Sequence, residues 1–429
     1  MTDTTDRASS TRIRVDLSHD WAFVKRNPGR RWLREGSEPG DEVVDLPHSW
    51  NARDSFAMHT AYYRGHGAYR KAFQMPAGIP HEDYLWFIRS EGFYGTGDVW
   101  LNGRKLGAVD GQYLGFTLGT GRHLPFDAPA ILGIRLTNKC RSYVLPGIAD
   151  PDFLLYGGLA GKVWIEGIPR LHLDRHETRV VVGPVGADRA EVVIHFAVVN
   201  RWDRPRNCTV SWSIEDGDGQ TVAASDVMAA SVEEDGKPCA AFVRLVVPAP
   251  RLWSPSAPAL YRARCRIEAA GGVMDDVTER FGIRIAEFRP RQGFFLNGER
   301  LELRGCNRHE SMPGFGNALP ASLQREDAAM IRSMGLNFVR LSHYPQHPAF
   351  LDACDELGIL VYAEVASWKR VRGGRWLRSA RRQLHDMIVR DRNRPGIVLW
   401  GMGNESRSRR AYLKLREVAR ELDPDRPVI

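Results

Sequence analysis

The chain's 429 residues are 43% hydrophobic and 26% charged, enough for roughly two to four domains with real cores. A formal charge of +8 admits an acidic partner, but the basic residues are spread along the chain and no nucleic-acid motif accompanies the densest run, KRVRGGRWLRSARR at 369–382, which reads as a solvated helix face or loop. No apolar run approaches the roughly 20 residues of a spanning helix, and the opening MTDTTDRASSTRIRV lacks a signal-like apolar stretch, so neither nucleic acid nor membrane is an expected partner and the protein is expected in the cytoplasm.

Residues 16–170 read as short strands separated by Gly, Pro, Asn and Asp turns, for example 85–88, then 98–101 followed by Asn102-Gly103, and 131–136. This pattern predicts a β-sandwich or jelly roll over 1–170. Alternation continues over 171–288, with strands at 191–199, 209–214, 241–247 and 261–267, and the size suggests an immunoglobulin-like sandwich. Past Phe288 the period changes. Strands are predicted at 301–304, 338–341, 359–363 and 397–401, and helices at 323–334, 348–357 and 381–391, with a further helix containing 412–422. Strict β/α alternation argues for parallel strands with crossover helices, so 289–429 is expected to be a partial TIM barrel: four units plus the start of a fifth at Val428-Ile429. The expected fold is therefore multidomain, β plus α/β. Cys140, Cys208, Cys239, Cys265, Cys306 and Cys354 are scattered, with no CxxC pair and no zinc-like spacing, and are expected to be reduced thiols.

The chemistry is densest in IVLWGMGNES at 397–406. An apolar strand delivers Asn404 and Glu405 at its C-terminal end, where barrel enzymes keep their reacting groups. A carboxyl held there among aromatics such as Trp400 would have its pKa raised by desolvation and serve as a general acid. An Asn-Glu pair ahead of a helix would also serve simply as its N-terminal cap.

Other motifs stand in order around it. They are GFFLNGERLELRGCNRHE (293–310), NFVRLSHYPQHP (337–348), FLDACDELGILV (350–361) and MIVRDRNRPGIVLWGMGNE (387–405). Earlier come LPHSWN (46–51), YYRGHGAYRKAF (62–73), DVWLNGRKLG (98–107), DFLLYGG (152–158), LWSPSAPALY (252–261) and FGIR (281–284). With these motifs the chain resembles family 2 glycoside hydrolases, of the β-galactosidase and β-glucuronidase kind, over nearly its whole length.

The resemblance implies a retaining exo-β-glycosidase acting on a carbohydrate substrate with no cofactor, most readily a β-galactosidase, then a β-glucuronidase or β-mannosidase. It implies Glu405 as general acid/base and Asn404 as the partner of the sugar 2-hydroxyl, a contact that strengthens in the transition state. It implies His309 and His343 as residues lining the sugar pocket, with Arg340 beside them. Asp152 matches an acid that reaches over the barrel to the distal hydroxyls, and Asn51 is a further candidate of that kind. Glu364 matches a supporting carboxylate and not the nucleophile, although its place at a strand end would also allow pairing with Glu405. Trp368 and Trp376 follow in the next stretch, where an aromatic face could stack on a sugar or simply pack.

Two departures from the family follow. Its nucleophile lies near the end of the seventh barrel strand, and no residue here matches it, so the resemblance implies a chain incomplete as given, active with a missing C-terminal half or not at all. Some relatives place a Glu-x-His magnesium ligand pair after the third strand. Here AEVASWKR (363–370) has no histidine, so no metal is expected. The competing reading is a non-catalytic carbohydrate-binding protein; a homo-oligomer is possible in either case.

Overall fold

Alternation of buried and exposed side chains builds two sandwiches before any long helix appears. The computed structural model describes residues 11–33, 41–54, 62–111, 113–148 and 151–429. Residues 1–10, read above for the lack of a signal-like segment, lie outside the described residues.

In the first sandwich a four-stranded antiparallel sheet runs Ile13–Asp16, Val163–Pro169, Tyr84–Ser90, Phe116–Gly119. A six-stranded sheet, centred on His66–Phe73 and Ala130–Thr137, faces it. Trp21, Phe23, Tyr69, Ile88, Leu132, Ile134 and Ile165 from both sheets form one buried cluster, and removing that apolar surface from water supplies the drive to pack. A small third sheet, His48–Ser49, Gly158–Leu159 and Phe93–Tyr94, turns the loops of this sandwich toward the C-terminal part.

The second sandwich pairs Arg189–Asn200 with Leu171–Leu173, Arg179–Val185 and Cys239–Pro248 in one sheet. The other sheet is built around Arg206–Glu215 and Tyr261–Ala269. Ile194, Phe196, Trp212, Ile214, Ala263 and Phe281 fill the space between.

After a three-stranded hairpin unit (Ala286–Arg289, Gly293–Leu296, Glu299–Arg300), strands become parallel. They are β1 (Gly305–Arg308), β2 (Phe338–Leu341), β3 (Leu360–Glu364) and β4 (Ile397–Gly401), joined in that order. The helices are α1 (Ala321–Ser333), α2 (Pro348–Leu357), α3 (Gly374–Asp391) and α4 (Arg409–Leu422). Val428 pairs in parallel with Trp400, so a fifth strand position begins beside β4. Among the described residues no helix is long and apolar enough to cross a membrane.

Two expected elements move. The strand expected at 301–304 is an extended lead-in whose Leu301 and Leu303 pack on a small apolar cluster, and the polar Gly-Cys-Asn-Arg that follows forms β1. Helix α3 begins at Gly374, well before 381, because Trp376, Ala380, Leu384, Met387 and Ile388 make a continuous buried stripe beneath the arginines.

Candidate active site

All five residues of β4 are buried, so the strand is fixed on both faces and its C-terminal end is set with little freedom. Glycines at 401 and 403 let it lie close to its neighbours. A Cβ on Gly401 would come within 2.5 Å of the Tyr362 ring, and one on Gly403 within 2.7 Å of the Ser367 carbonyl oxygen. The chain then zips to the segment after β3: Asn404 N–H donates to Ser367 O at 2.8 Å, and Lys369 N–H to Asn404 O at 3.1 Å. Glu405 follows with φ +46°, a left-handed conformation that costs a non-glycine residue about 1 kcal/mol and persists where the surroundings impose it.

Beneath this turn lies a closed charge network. Glu364, at the end of β3, is 0% exposed. Its Oε2 accepts from Arg340 Nε and Nη2 at 3.0 and 2.6 Å, and its Oε1 from His343 Nδ1 at 3.0 Å. Arg340 Nη2 also donates to Asn404 Oδ1 at 2.8 Å, which turns the Asn404 amide NH2 away from the network. The Ser342–His343 peptide is cis. A carboxylate buried this deeply is stable only because both oxygens are hydrogen-bonded to cationic or ring N–H donors. Burial, then the Glu364 charge, pushes the adjoining Tyr362 hydroxyl up to about 12.

The two histidines face each other at 5.3 Å between ring centres. Tyr344 Oη accepts from the Glu310 N–H at 3.2 Å and the Asn317 amide at 3.3 Å. Its own proton is thereby directed to His309 Nδ1, 3.4 Å away, and this pattern assigns the His309 ring proton to Nε2. His343 gives its Nδ1 proton to Glu364, so Nε2 is the ring nitrogen left for a ligand. Each ring thus keeps its Nε2 for a sugar hydroxyl. Burial, then the neighbouring His343, holds His309 below its ordinary pKa.

The first sandwich closes over this group. The Phe153 ring lies 5.7 Å from His309, 6.3 Å from His343, 5.5 Å from Tyr344 and 6.0 Å from Trp368. Tyr113 stacks on Tyr344 at 4.3 Å and 7°. Asp152, exposed beside Phe153, is close enough for its charge to act on His309.

Of the candidate residues, then, the structure brings together Asn404, Glu405, Arg340, His343, His309, Glu364 and Asp152. Others take different roles. Trp400 is buried against the barrel helices and its indole donates to Asp423 at 2.8 Å, so it does not enclose Glu405. The Glu405 side chain is 56% exposed, with Lys369 Nζ 3.3 Å from Oε2. Trp368 is 2% exposed and Trp376 1%; both are packing residues here, with Lys369 Nζ over the Trp368 ring at 4.1 Å. Asn51 is fully buried and joins Gly157 N–H and Tyr63 O at 3.0 and 3.3 Å, so it fixes loops of the first sandwich instead of presenting its amide to a sugar. Asn404 does not cap α4; Ser408 does, accepting from Ala411 N–H. Phe153, Tyr344 and Lys369 were not singled out from sequence, although Phe153 adjoins Asp152 and Tyr344 adjoins His343. Among the described residues no group of three or more His, Cys, Asp or Glu is placed to hold a metal.

Two β-sandwiches ahead of a parallel β/α sheet that ends in Asn404 and Glu405 define the multidomain glycoside hydrolase class. The model for "Glycosyl hydrolases family 2" matches 173–284, and that for "Glycosyl hydrolases family 2, TIM barrel domain" matches 289–429. The chain belongs to glycosyl hydrolase family 2. A protein of Formosa agariphila provisionally named a β-glucuronidase is 31% identical over 434 residues, spanning 97% of this chain and 50% of that protein. A β-galactosidase of Thermoanaerobacter pseudethanolicus is 28% identical over 429 residues, spanning 96% of this chain and 55% of that one. The solved structure of Bacteroides uniformis β-glucuronidase 2, covalently bound to cyclophellitol-6-carboxylate aziridine, superposes with a TM-score of 0.87 at 25% identity, covering 97% of this chain and 52% of that one. This chain thus spans about half the length of these relatives.

Proposed function

We propose that this site belongs to an exo-β-glycosidase that cleaves a terminal β-linked sugar, with β-galactosides as the preferred substrates. The observation that carries the reading is the Arg340–Glu364–His343 network, tied through Arg340 to Asn404, the residue before Glu405, with Phe153 against His343. In this reading Glu405 gives its proton to the glycosidic oxygen as the bond to the anomeric carbon breaks, then takes one from the incoming water. Asn404 holds the 2-hydroxyl. His309 and His343 each meet a ring hydroxyl through Nε2, and Asp152 meets the distal hydroxyls. Glu364, saturated by Arg340 and His343, positions the others. The carboxylate that attacks the anomeric carbon in a retaining reaction is assigned to none of these residues.

The preference for a neutral sugar follows the order of specificities that the resemblance implies, and Arg340 is not the cation that would hold a uronate. Its guanidinium is already committed to Glu364 and Asn404, where a uronate would need a cation of its own. The relatives include both β-galactosidases and β-glucuronidases, so β-glucuronides and then β-mannosides are the next substrates to try. A second reading, sugar binding without cleavage, is favoured by one feature: Glu405 is open to solvent and paired with Lys369.

The test is hydrolysis of a panel of nitrophenyl β-glycosides by the 429-residue chain, with Glu405→Gln alongside. Turnover of the galactoside that the substitution abolishes supports the proposal. Turnover unchanged in the variant would falsify the role of Glu405. A folded chain that binds galactose equally with and without the substitution, and turns over nothing, would establish the binding reading.

A further inference from the structure

The basic run at 369–382 acquires a definite shape in the structure. Its second half opens α3, and Arg378, Arg381 and His385 fall on one face of that helix at spacings of three and four. This face forms a wall of a cleft of about 720 Å³ between α3, α4 and the second sandwich. Across from it stand Arg179 and His195, cross-strand partners in the sheet. Arg392, just past α3, lines it too. Glu177 and Glu421 are the acidic residues of the lining.

The cations here are under-used. Arg378 and Arg381 are exposed, and neither has an ion-pair partner among the described residues. Arg392 is 7% exposed and donates through Nη2 to the carbonyls of His176 and Thr178 at 2.5 and 3.2 Å. Its Nε is buried without a partner among the described residues, an arrangement that is costly without an acceptor. The crowding of like charges also shows on the neighbours. Burial, then Arg179 and Arg392, holds His195 below its ordinary pKa, and burial, then Arg179, lowers Arg392.

We propose that this cleft is a second carbohydrate site, one that takes an acidic polysaccharide by its carboxylate or sulfate groups. Guanidinium groups recognise such oxyanions in bidentate fashion. Two features favour a glycan over a nucleic acid. Among the described residues no Phe, Tyr or Trp lines the cleft to stack a base. Glu177 and Glu421 need donors, which the phosphodiester backbone of a deoxyribonucleic acid does not offer, whereas every sugar of a glycan carries hydroxyls that can donate to them. The cleft is separate from the Glu405 site, so binding is read without turnover and the inference stands or falls independently of the proposed reaction.

The experiment titrates an oligogalacturonate of about six sugars into the full chain in the Glu405→Gln background, at low salt, with a single-stranded oligodeoxynucleotide of matched charge as comparison. Binding of the oligogalacturonate that weakens ~10-fold or more in R378E/R381E, by an intermediate factor in R378Q/R381Q, and with unchanged thermal unfolding is the expected result. Sulfate should compete better than chloride at equal ionic strength. No binding at low salt, binding indifferent to both double substitutions, equal competition by sulfate and chloride, or tighter binding of the oligodeoxynucleotide would each overturn it.

Discussion

The two sandwiches hold the barrel segment by different chemistry, and the difference tracks the two ends of its strands. The second sandwich grips the end where strands begin. Arg284 donates to the carbonyls of Pro395 and Ile397 at 2.5 and 2.7 Å, Arg280 pairs with Asp352 and Glu356 at 2.7 and 2.8 Å, and Val180 N–H donates to Asn393 at 2.9 Å. The first sandwich meets the opposite end with aromatic faces, Tyr113 on Tyr344 and Phe153 over the two histidines. Guanidinium groups tied to backbone carbonyls and to carboxylates make a fixed base. Ring contacts around half-open polar groups make a mouth that a ligand can enter, which is the division barrel proteins show between a stabilising and a reacting face.

The comparison is tested most severely at the base. Asp355 is 2% exposed, accepts from Gly396 N–H at 2.9 Å and Arg394 at 3.1 Å, and lies 3.7 Å from Arg280. Asp355→Ala leaves the Gly396 N–H without its acceptor and removes the buried carboxylate facing Arg394 and Arg280, which keep Asp352, and should cost about 3 kcal/mol in denaturant unfolding. A loss under about 1 kcal/mol would mean that the base is not what fixes the barrel to the second sandwich. At the mouth, Glu364→Gln keeps the shape but removes the charge facing Arg340 and His343. We expect about 2–3 kcal/mol of destabilisation and a drop in sugar affinity or turnover on the order of 100-fold, since positioning partners commonly cost 10–100-fold or more. Stability that falls while sugar affinity stays constant would assign Glu364 to the framework.

How far each end could be read from sequence follows from the same chemistry. β2, β4 and α2 lie where the apolar pattern puts them (338–341, 397–401, 348–357), because their cores are local runs of buried residues. β1 escaped because Gly305–Arg308 is a polar strand whose partners are supplied by β2, while the alternating Leu301 and Leu303 ahead of it imitate one. The start of α3 escaped because its arginines mask the stripe through Trp376 and Ala380. At the site, charged and polar members were legible as motif residues, Arg340, His343, Glu364 and Asn404 among them. Trp400 was misread because one aromatic beside a motif does not reveal which face it turns, and Phe153 was missed because its contacts span more than 150 residues of chain.

The seam between mouth and first sandwich should be sensitive to acid. Glu91 Oε2 lies 3.4 Å from His347 Nε2 and accepts from Lys162 N–H at 2.9 Å. Burial alone would raise the carboxyl, but the His347 hydrogen bond and charge, with the Lys162 N–H, outweigh it and hold the group down to about 2. A carboxyl depressed in the folded state stabilises fully above its unfolded pKa, near 4.5, and loses that stabilisation as pH falls from there toward 2. With 24% of the side chain exposed, we expect on the order of 2 kcal/mol. Urea midpoints at pH 6, 4 and 3 should therefore fall less steeply for Glu91→Gln than for the native chain; parallel curves would remove Glu91 from the seam.

The smallest expected effect on stability is the one most informative about the mouth. Phe153 is only partly buried, so Phe153→Ala removes edge and tilted ring contacts without opening a core, about 1–2 kcal/mol. Its consequence for a ligand should be larger in proportion. The ring lies against both His309 and His343, and without it the two imidazoles gain freedom and water, so the two Nε2 atoms they offer are no longer held at one spacing. Sugar affinity should drop ~10-fold. Phe153→Tyr, which keeps the ring, should restore most of it. If alanine weakens stability and leaves affinity unchanged, the first sandwich merely props the barrel; if affinity falls as well, the sandwich is part of the site.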